Sequence, residues 1–479
     1  MLKRLFLMAS IVLCHAHLSQ AQIVTVGSGS YTETYPGVDA AGRNGFLPGV
    51  PQLSGDAQGK PVPTNDWWSN LLINDFADNL FNYPISMQTI NRGLVMTYIP
   101  FGVIDDQDPI VVGVSGLNAT EVTVSDYSDW TVTMNWSDKL EATSGIGMPF
   151  VYFTKSEVEV AAVTINLGTV LVDDEVITIT NARNGANFAV YAPEGSSWTQ
   201  NGNTFTSTLN GENYWSVAML PQGQNDVQGL AQAYQRYAYV FPVDTKTTWT
   251  FDESTSVMRT DFTVTPDVKE GTNGHVLMGL LPHQWDHLAA DSPEPQGDVY
   301  QSVRGQIKTL DGNTFSVANT FYGILPTLPY ASNNSEGFDL SSLDEKVRLL
   351  ENDQLPEWTD SYNEGQLMNR LIQTARIADK MGNIQTRDKL LTTIKERLED
   401  WLTAEGGEVA FLFYYHRNWT AMLGYPAGHG QDNNINDHHF HWGYFIHAAA
   451  FLEQFEPGWA ADWGDMINLL VRDAASPNG

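Results

Sequence analysis

At Pro356 the hydrophobic pattern of this chain changes its period. Upstream, apolar and polar residues alternate, as the two faces of a pleated strand demand. Downstream, apolar residues recur every three to four positions, as one face of a helix demands. Neither a sheet nor a helix bundle satisfies both patterns, so the chain must build a β-rich region and then a helical one. Its 479 residues suffice for two or three domains.

The β pattern is clear at Glu121-Val122-Thr123-Val124, at Trp130-Thr131-Val132-Thr133-Met134 and at Ile177-Thr178-Ile179-Thr180, with Asn, Gly and Asp turn signals between such runs. Residues 22–261 therefore predict a large N-terminal β-sandwich. Residues 262–355 are mixed: 276–281 form a short apolar run suited to a buried strand, and Asp311-Gly312 carries the signature of a tight hairpin. This stretch predicts a small α/β connecting domain. In residues 356–479, Leu367, Met368, Leu371, Ile372, Ala375, Ala378 and Met381 keep helical spacing until Gly382. Leu390, Leu391, Ile394, Leu398, Trp401 and Leu402 repeat it, and further helices are predicted over about 438–453 and 463–474. Short connections predict antiparallel neighbours.

Residues 1–21 have a basic start, an apolar run too short to span a bilayer and a small-residue site at Ala21, which predicts a secretory signal peptide and a secreted protein. Cys14, the one cysteine, falls inside it, which excludes disulfides, thiolate catalysis and Cys-ligated zinc from the mature chain. The net charge of −31 disfavours nucleic acid and anionic lipid as partners. The 14 tryptophans and 19 tyrosines suit sugar-stacking platforms and large β cores equally.

Chemistry concentrates in one stretch, Ile435-Asn436-Asp437-His438-His439-Phe440-His441-Trp442-Gly443-Tyr444-Phe445. His438, His439 and His441 lack the i,i+4 pairing of a helical zinc site, and no HExxH occurs, so neither metal nor other cofactor is expected. The preceding Gln431-Asp432-Asn433-Asn434 is rich in oxygen atoms but lacks the glycine and closing glutamate of an EF-hand loop, so it reads as a solvated turn. Asp437 reads in two ways. It stands where a helix N-cap belongs, and it could serve as a catalytic acid whose pKa is raised by packing among His438, Phe440 and Trp442. Trp419, Trp442, Tyr444 and Phe445 are core residues or the lining of a sugar cleft.

The run Asp437 to Phe445 resembles the DHHFHYGYF signature of glycoside hydrolase family 81. Trp419, Leu423-Gly424-Tyr425-Pro426 and Ile467-Asn468-Leu469-Leu470-Val471-Arg472-Asp473 around it agree. So do Pro63-Thr64-Asn65-Asp66-Trp67-Trp68-Ser69-Asn70, Leu280-Leu281-Pro282-His283 and Ile324-Leu325-Pro326-Thr327-Leu328-Pro329. The resemblance spans nearly all of the mature chain. It implies an endo-β-1,3-glucanase (laminarinase) built from a β-sandwich, a small connecting domain and an (α/α)6 barrel, acting on β-1,3-glucan with inversion. It implies Asp437 as general acid, with His441, Tyr444, Trp442, His439 and Trp419 binding or orienting substrate. The family's base is a glutamate in a serine-rich acidic motif after an EGHSW-like segment. Neither segment is present in this sequence, so the resemblance implies a C-terminally truncated barrel with its base beyond residue 479. Trp442 departs from the Tyr usual there. A non-catalytic glucan-binding protein is the alternative. A polysaccharide lyase fits less well, because only 25 basic residues are available to neutralise uronates.

Overall fold

A computed structural model describes residues 22–37, 47–63, 66–100, 108–323, 339–352 and 355–476. The expected signal peptide, Thr64, Asn65 and the stretch from Ile324 to Pro329 lie outside the described residues. The architecture is multidomain α+β and divides into two compact units, Pro48–Pro329 with Ser476–Gly479, and Met1–Leu47 with Tyr330–Ala475.

The first unit is dominated by two antiparallel sheets of eight and seven strands. Strands such as Ile110–Val114 and Tyr214–Leu220 are buried along their whole length, which explains why they are apolar on both faces apart from Ser216. The two sheets are stitched together by polar side chains. Trp136 Nε1 donates to the Ile90 carbonyl at 2.9 Å, and Asn82 Nδ2 donates to Ser144 Oγ at 2.7 Å. Helix Val227–Tyr234 interrupts the β pattern and covers an aromatic cluster that includes Phe150, Tyr191 and Tyr237.

Two three-stranded sheets complete the unit and correct one expectation. Strands Gly305–Asp311 and Thr314–Thr320 flank Asp311-Gly312 but do not pair as a hairpin. The former pairs with Leu277–Leu280 and Val299–Ser302, the latter with Val257–Val268. Gly312 has φ +158°, nearly extended, whereas a two-residue hairpin turn needs left-handed values. The turn therefore passes the chain from one sheet to the next.

The second unit holds the helices Leu340–Leu349, Ser361–Lys380, Ile384–Trp401, His438–Phe455 and Trp459–Ala474. The long helices lie where the apolar spacing predicts, and Met368, Leu371, Ile394, Leu398, Trp401, Phe445, Leu452 and Leu470 meet in one core. Two features depart from the predicted organisation. A hairpin, Leu412–His416 with Ala421–Tyr425, stands among the helices. Strands Ile23–Val26 and Gly29–Thr32, expected in the β-sandwich, join that hairpin instead, Thr32 pairing in parallel with Tyr414. Ser30 donates its backbone N–H to the Leu402 carbonyl at 2.8 Å. A Cβ at Gly29 would lie 2.6 Å from that same oxygen, so the approach requires glycine there. Among the described residues no helix is long and apolar enough to cross a membrane.

Candidate active site

Helix His438–Phe455 is the foundation of the site. Its buried positions, His438, His441, Trp442, Phe445, Ala448, Ala449, Phe451 and Leu452, recur at steps of three and four and form the face that packs inward. Asp437 precedes it at the N-cap position with φ +57° and ψ +25°, in the left-handed region. No side-chain cap forms, which corrects the capping expectation. The carboxyl instead accepts a hydrogen bond from Asn436 Nδ2 at 3.0 Å. The expected aromatic box around Asp437 is also corrected. Phe440 is 54% exposed, and Trp442 is fully buried, with its ring against Phe413 and Phe445. Asp437 itself is half-buried.

Trp442 and Trp419 are 0% and 1% exposed, so neither presents a ring face to a ligand, and their expected role in stacking sugar is withdrawn. His439 is exposed and His441 buried. His441 Nδ1 is paired with Ser361 Oγ at 2.7 Å, and its Nε2 meets no partner among the described residues. Burial, reinforced by the charge of His438, pushes the His441 pKa down to about 4, so this ring is neutral at physiological pH. Tyr444 is half-buried, its edge toward Tyr362 with ring centroids 5.9 Å apart. Gly365 lies beneath Tyr444, where a Cβ would come within 2.5 Å of the tyrosine Cβ.

Several residues that sequence reasoning passed over complete the site. Tyr362 stands at the start of helix Ser361–Lys380 and gathers rings around itself: His429 at 4.5 Å, His441 at 5.4 Å and Tyr444 at 5.9 Å. Asp360 fixes that helix start by accepting from the backbone N–H groups of Tyr362 and Asn363, both at 3.0 Å. An Asp cap followed by an aromatic one step into the helix was the available signal.

Gln431 and Asp432 are buried rather than solvated. The Gln431 amide pairs with the Gly424 backbone as a strand would. Its Nε2 donates to the Gly424 carbonyl at 2.7 Å, and the Gly424 N–H donates to its Oε1 at 3.3 Å. His438 Nε2 lies 2.7 Å from the Gln431 carbonyl, and His438 Nδ1 lies 2.6 Å from Asp473 Oδ2. Both ring nitrogens thus face acceptors, and only the doubly protonated imidazolium satisfies both. Burial alone would lower the His438 pKa, but the Asp473 carboxylate outweighs it and the pKa is raised above 6.5. One helix face therefore holds a histidine whose charged form is favoured beside another whose neutral form is favoured. No cluster of three or more histidine or carboxylate side chains arranged to hold a metal ion occurs among the described residues.

A multidomain α+β protein with a half-buried aspartate in left-handed backbone and a cluster of rings gathered around Tyr362 is the class that this geometry defines. Comparison with known proteins narrows it. The glycosyl hydrolase family 81 N-terminal domain matches residues 49–324, and the family 81 C-terminal domain matches residues 343–479. The chain belongs to glycoside hydrolase family 81. It is 34% identical over 476 residues to a glucan endo-1,3-beta-D-glucosidase of Thermobifida fusca, covering 95% of this chain and 61% of that protein. It is 34% identical over 433 residues to one of Acetivibrio thermocellus, covering 87% of this chain and 55% of that protein. A solved family 81 protein from Clostridium thermocellum superposes with a TM-score of 0.81 at 32% identity, covering 95% of this chain and 64% of that one. The chain thus spans between 55% and 64% of the length of these relatives.

Proposed function

We propose that this chain belongs to a secreted endo-acting glycoside hydrolase that cleaves β-1,3-glucan with inversion, and that Asp437 is its general acid. The observation that carries the reading is the family match across both units, joined to 34% identity with glucan endo-1,3-beta-D-glucosidases. In this reading the strand-rich unit is a β-sandwich with its connecting domain, and the helical unit is part of an (α/α)6 barrel. Asp437 donates its proton to the departing glycosidic oxygen. Asp437 is half-buried and Asn436 links it to the His429 carbonyl; the His429 ring packs on Tyr362, which meets Tyr444, and these rings offer a surface against which a pyranose packs. His441, neutral and held by Ser361, orients the pocket floor. Inversion requires a second carboxylate about 6.5–9.5 Å from the acid, leaving room for the attacking water.

The test is reducing-end release from linear β-1,3-glucan by the full-length gene product, wild type against Asp437→Asn. The variant keeps the shape and loses the proton, so hydrolysis should fall to background. Retained hydrolysis refutes Asp437 as the acid.

A further inference from the structure

The loop that delivers Asp437 is conformationally expensive. His429, Ile435 and Asp437 all have left-handed backbones, with φ of +55°, +47° and +57°. Backbone held in that region persists only where the surroundings over-determine it. One restraint is Gln431, clamped to Gly424. The other runs through His438, the residue that follows Asp437, to Asp473 in the last turn of helix Trp459–Ala474.

Asp473 is built as an anion receptor in reverse. Its side chain is 2% exposed and accepts from the Met422 backbone N–H at 2.8 Å, from His438 Nδ1 at 2.6 Å and from Trp442 Nε1 at 2.6 Å. These donors belong to strand Ala421–Tyr425 and to helix His438–Phe455, so one carboxylate ties both to the helix that carries it. We propose that Asp473 is a positioning residue for Asp437. It holds His438 as an imidazolium, whose second N–H grips the Gln431 carbonyl, and this closes the base of the loop and aims the Asp437 carboxyl. The other groups whose charge bears on His438 are Asp432, which favours the imidazolium, and His441, which is neutral. The inference rests on the reading of Asp437 as the acid.

An isosteric Asp473→Asn removes the countercharge. His438 must then shed a proton, and one of its two hydrogen bonds fails. A displacement of the acid by about 1 Å costs on the order of a hundredfold in rate.

The experiment has two parts. The first is the ¹⁵N spectrum of the His438 ring in the 479-residue chain at pH 7, above the ordinary histidine value of 6.5. Both nitrogens should be protonated in the wild type, and the ring should be neutral in Asp473→Asn. The second is kcat and KM of the full-length product on linear β-1,3-glucan, where Asp473→Asn should lose about a hundredfold in kcat with KM held. A neutral His438 in the wild type overturns the proposal, and it does so even if the variant fails to fold. A folded variant with unchanged kcat, or one losing only KM, also overturns it. A wild type that does not hydrolyse the glucan removes the acid reading and the positioning role with it. In that case the spectrum still reports whether the His438–Asp473 ion pair exists.

Discussion

Gln431→Ala removes a side chain that acts as one rung of a β-ladder. In the wild type its amide satisfies both the N–H and the C=O of Gly424, a buried residue within strand Ala421–Tyr425. Alanine reaches neither group. Each orphaned buried polar group costs about 1–3 kcal/mol, and the fully buried amide leaves a hole as well. The two orphaned groups alone sum to about 2–6 kcal/mol, against the roughly 5–15 kcal/mol that holds a typical domain together. The assay is equilibrium unfolding in urea followed by tryptophan fluorescence, since Trp401, Trp419 and Trp442 are all buried in the helical unit. Hydrogen exchange of the Gly424 amide runs alongside and should accelerate by orders of magnitude. Gln431→Glu keeps an acceptor for the Gly424 N–H but offers no donor to its carbonyl, so it should be no more stable than the alanine variant. A loss below about 1 kcal/mol with the Gly424 amide still protected would show that water replaces the side chain, and the argument for a rigid loop would fail.

Two further outcomes are expected. Gly365→Ala gains up to about 1 kcal/mol of helix propensity but forces a contact of 2.5 Å with the Tyr444 Cβ, so overpacking of about 1–3 kcal/mol should win; a raised Tm would refute this. For His441, the folded pKa of about 4 lies below the ordinary 6.5, so the unfolded chain takes the proton first on acidification. Its stabilising contribution is therefore present above pH 6.5 and is lost as the pH falls toward 4, to a total of about 3 kcal/mol. His438 has the opposite sign, contributing below the ordinary value and losing that contribution as pH rises through its raised folded pKa. Urea unfolding from pH 8 to pH 4 should show His441→Gln with a flatter acid limb than the wild type, and parallel limbs would remove the buried neutral imidazole from the account.

The long helices were legible because each buries one apolar stripe, and their spans contain the predicted stripes except Met381 and Leu402, which stand at the C-caps. The burial of Trp442 was legible too. It falls in the same series of threes and fours as His438, Phe445 and Leu452, and that periodicity outweighs the attraction of a tryptophan beside an aspartate. What could not be read was pairing at long range. Nothing near Asp473 announces that its carboxylate meets His438, because that contact depends on the relative placement of two helices. The turn at Asp311-Gly312 misled for a related reason. The dipeptide specifies a tight change of direction, but the flanking strands choose partners by sheet geometry, which local sequence does not encode.

The pairing of the N-terminal strands with the hairpin of the helical unit has a consequence in time. Ser30 and Ala404 exchange hydrogen bonds of 2.9 Å across 374 positions of chain. At a synthesis rate of roughly 5–20 residues per second, the interval between making the two partners is about 20–75 s. During that interval the whole Pro48–Pro329 unit is made, while the earliest strands wait with an open hydrogen-bonding edge. These strands thus pair only once the helical unit has emerged, and a nascent chain of this design needs their open edge shielded in the meantime.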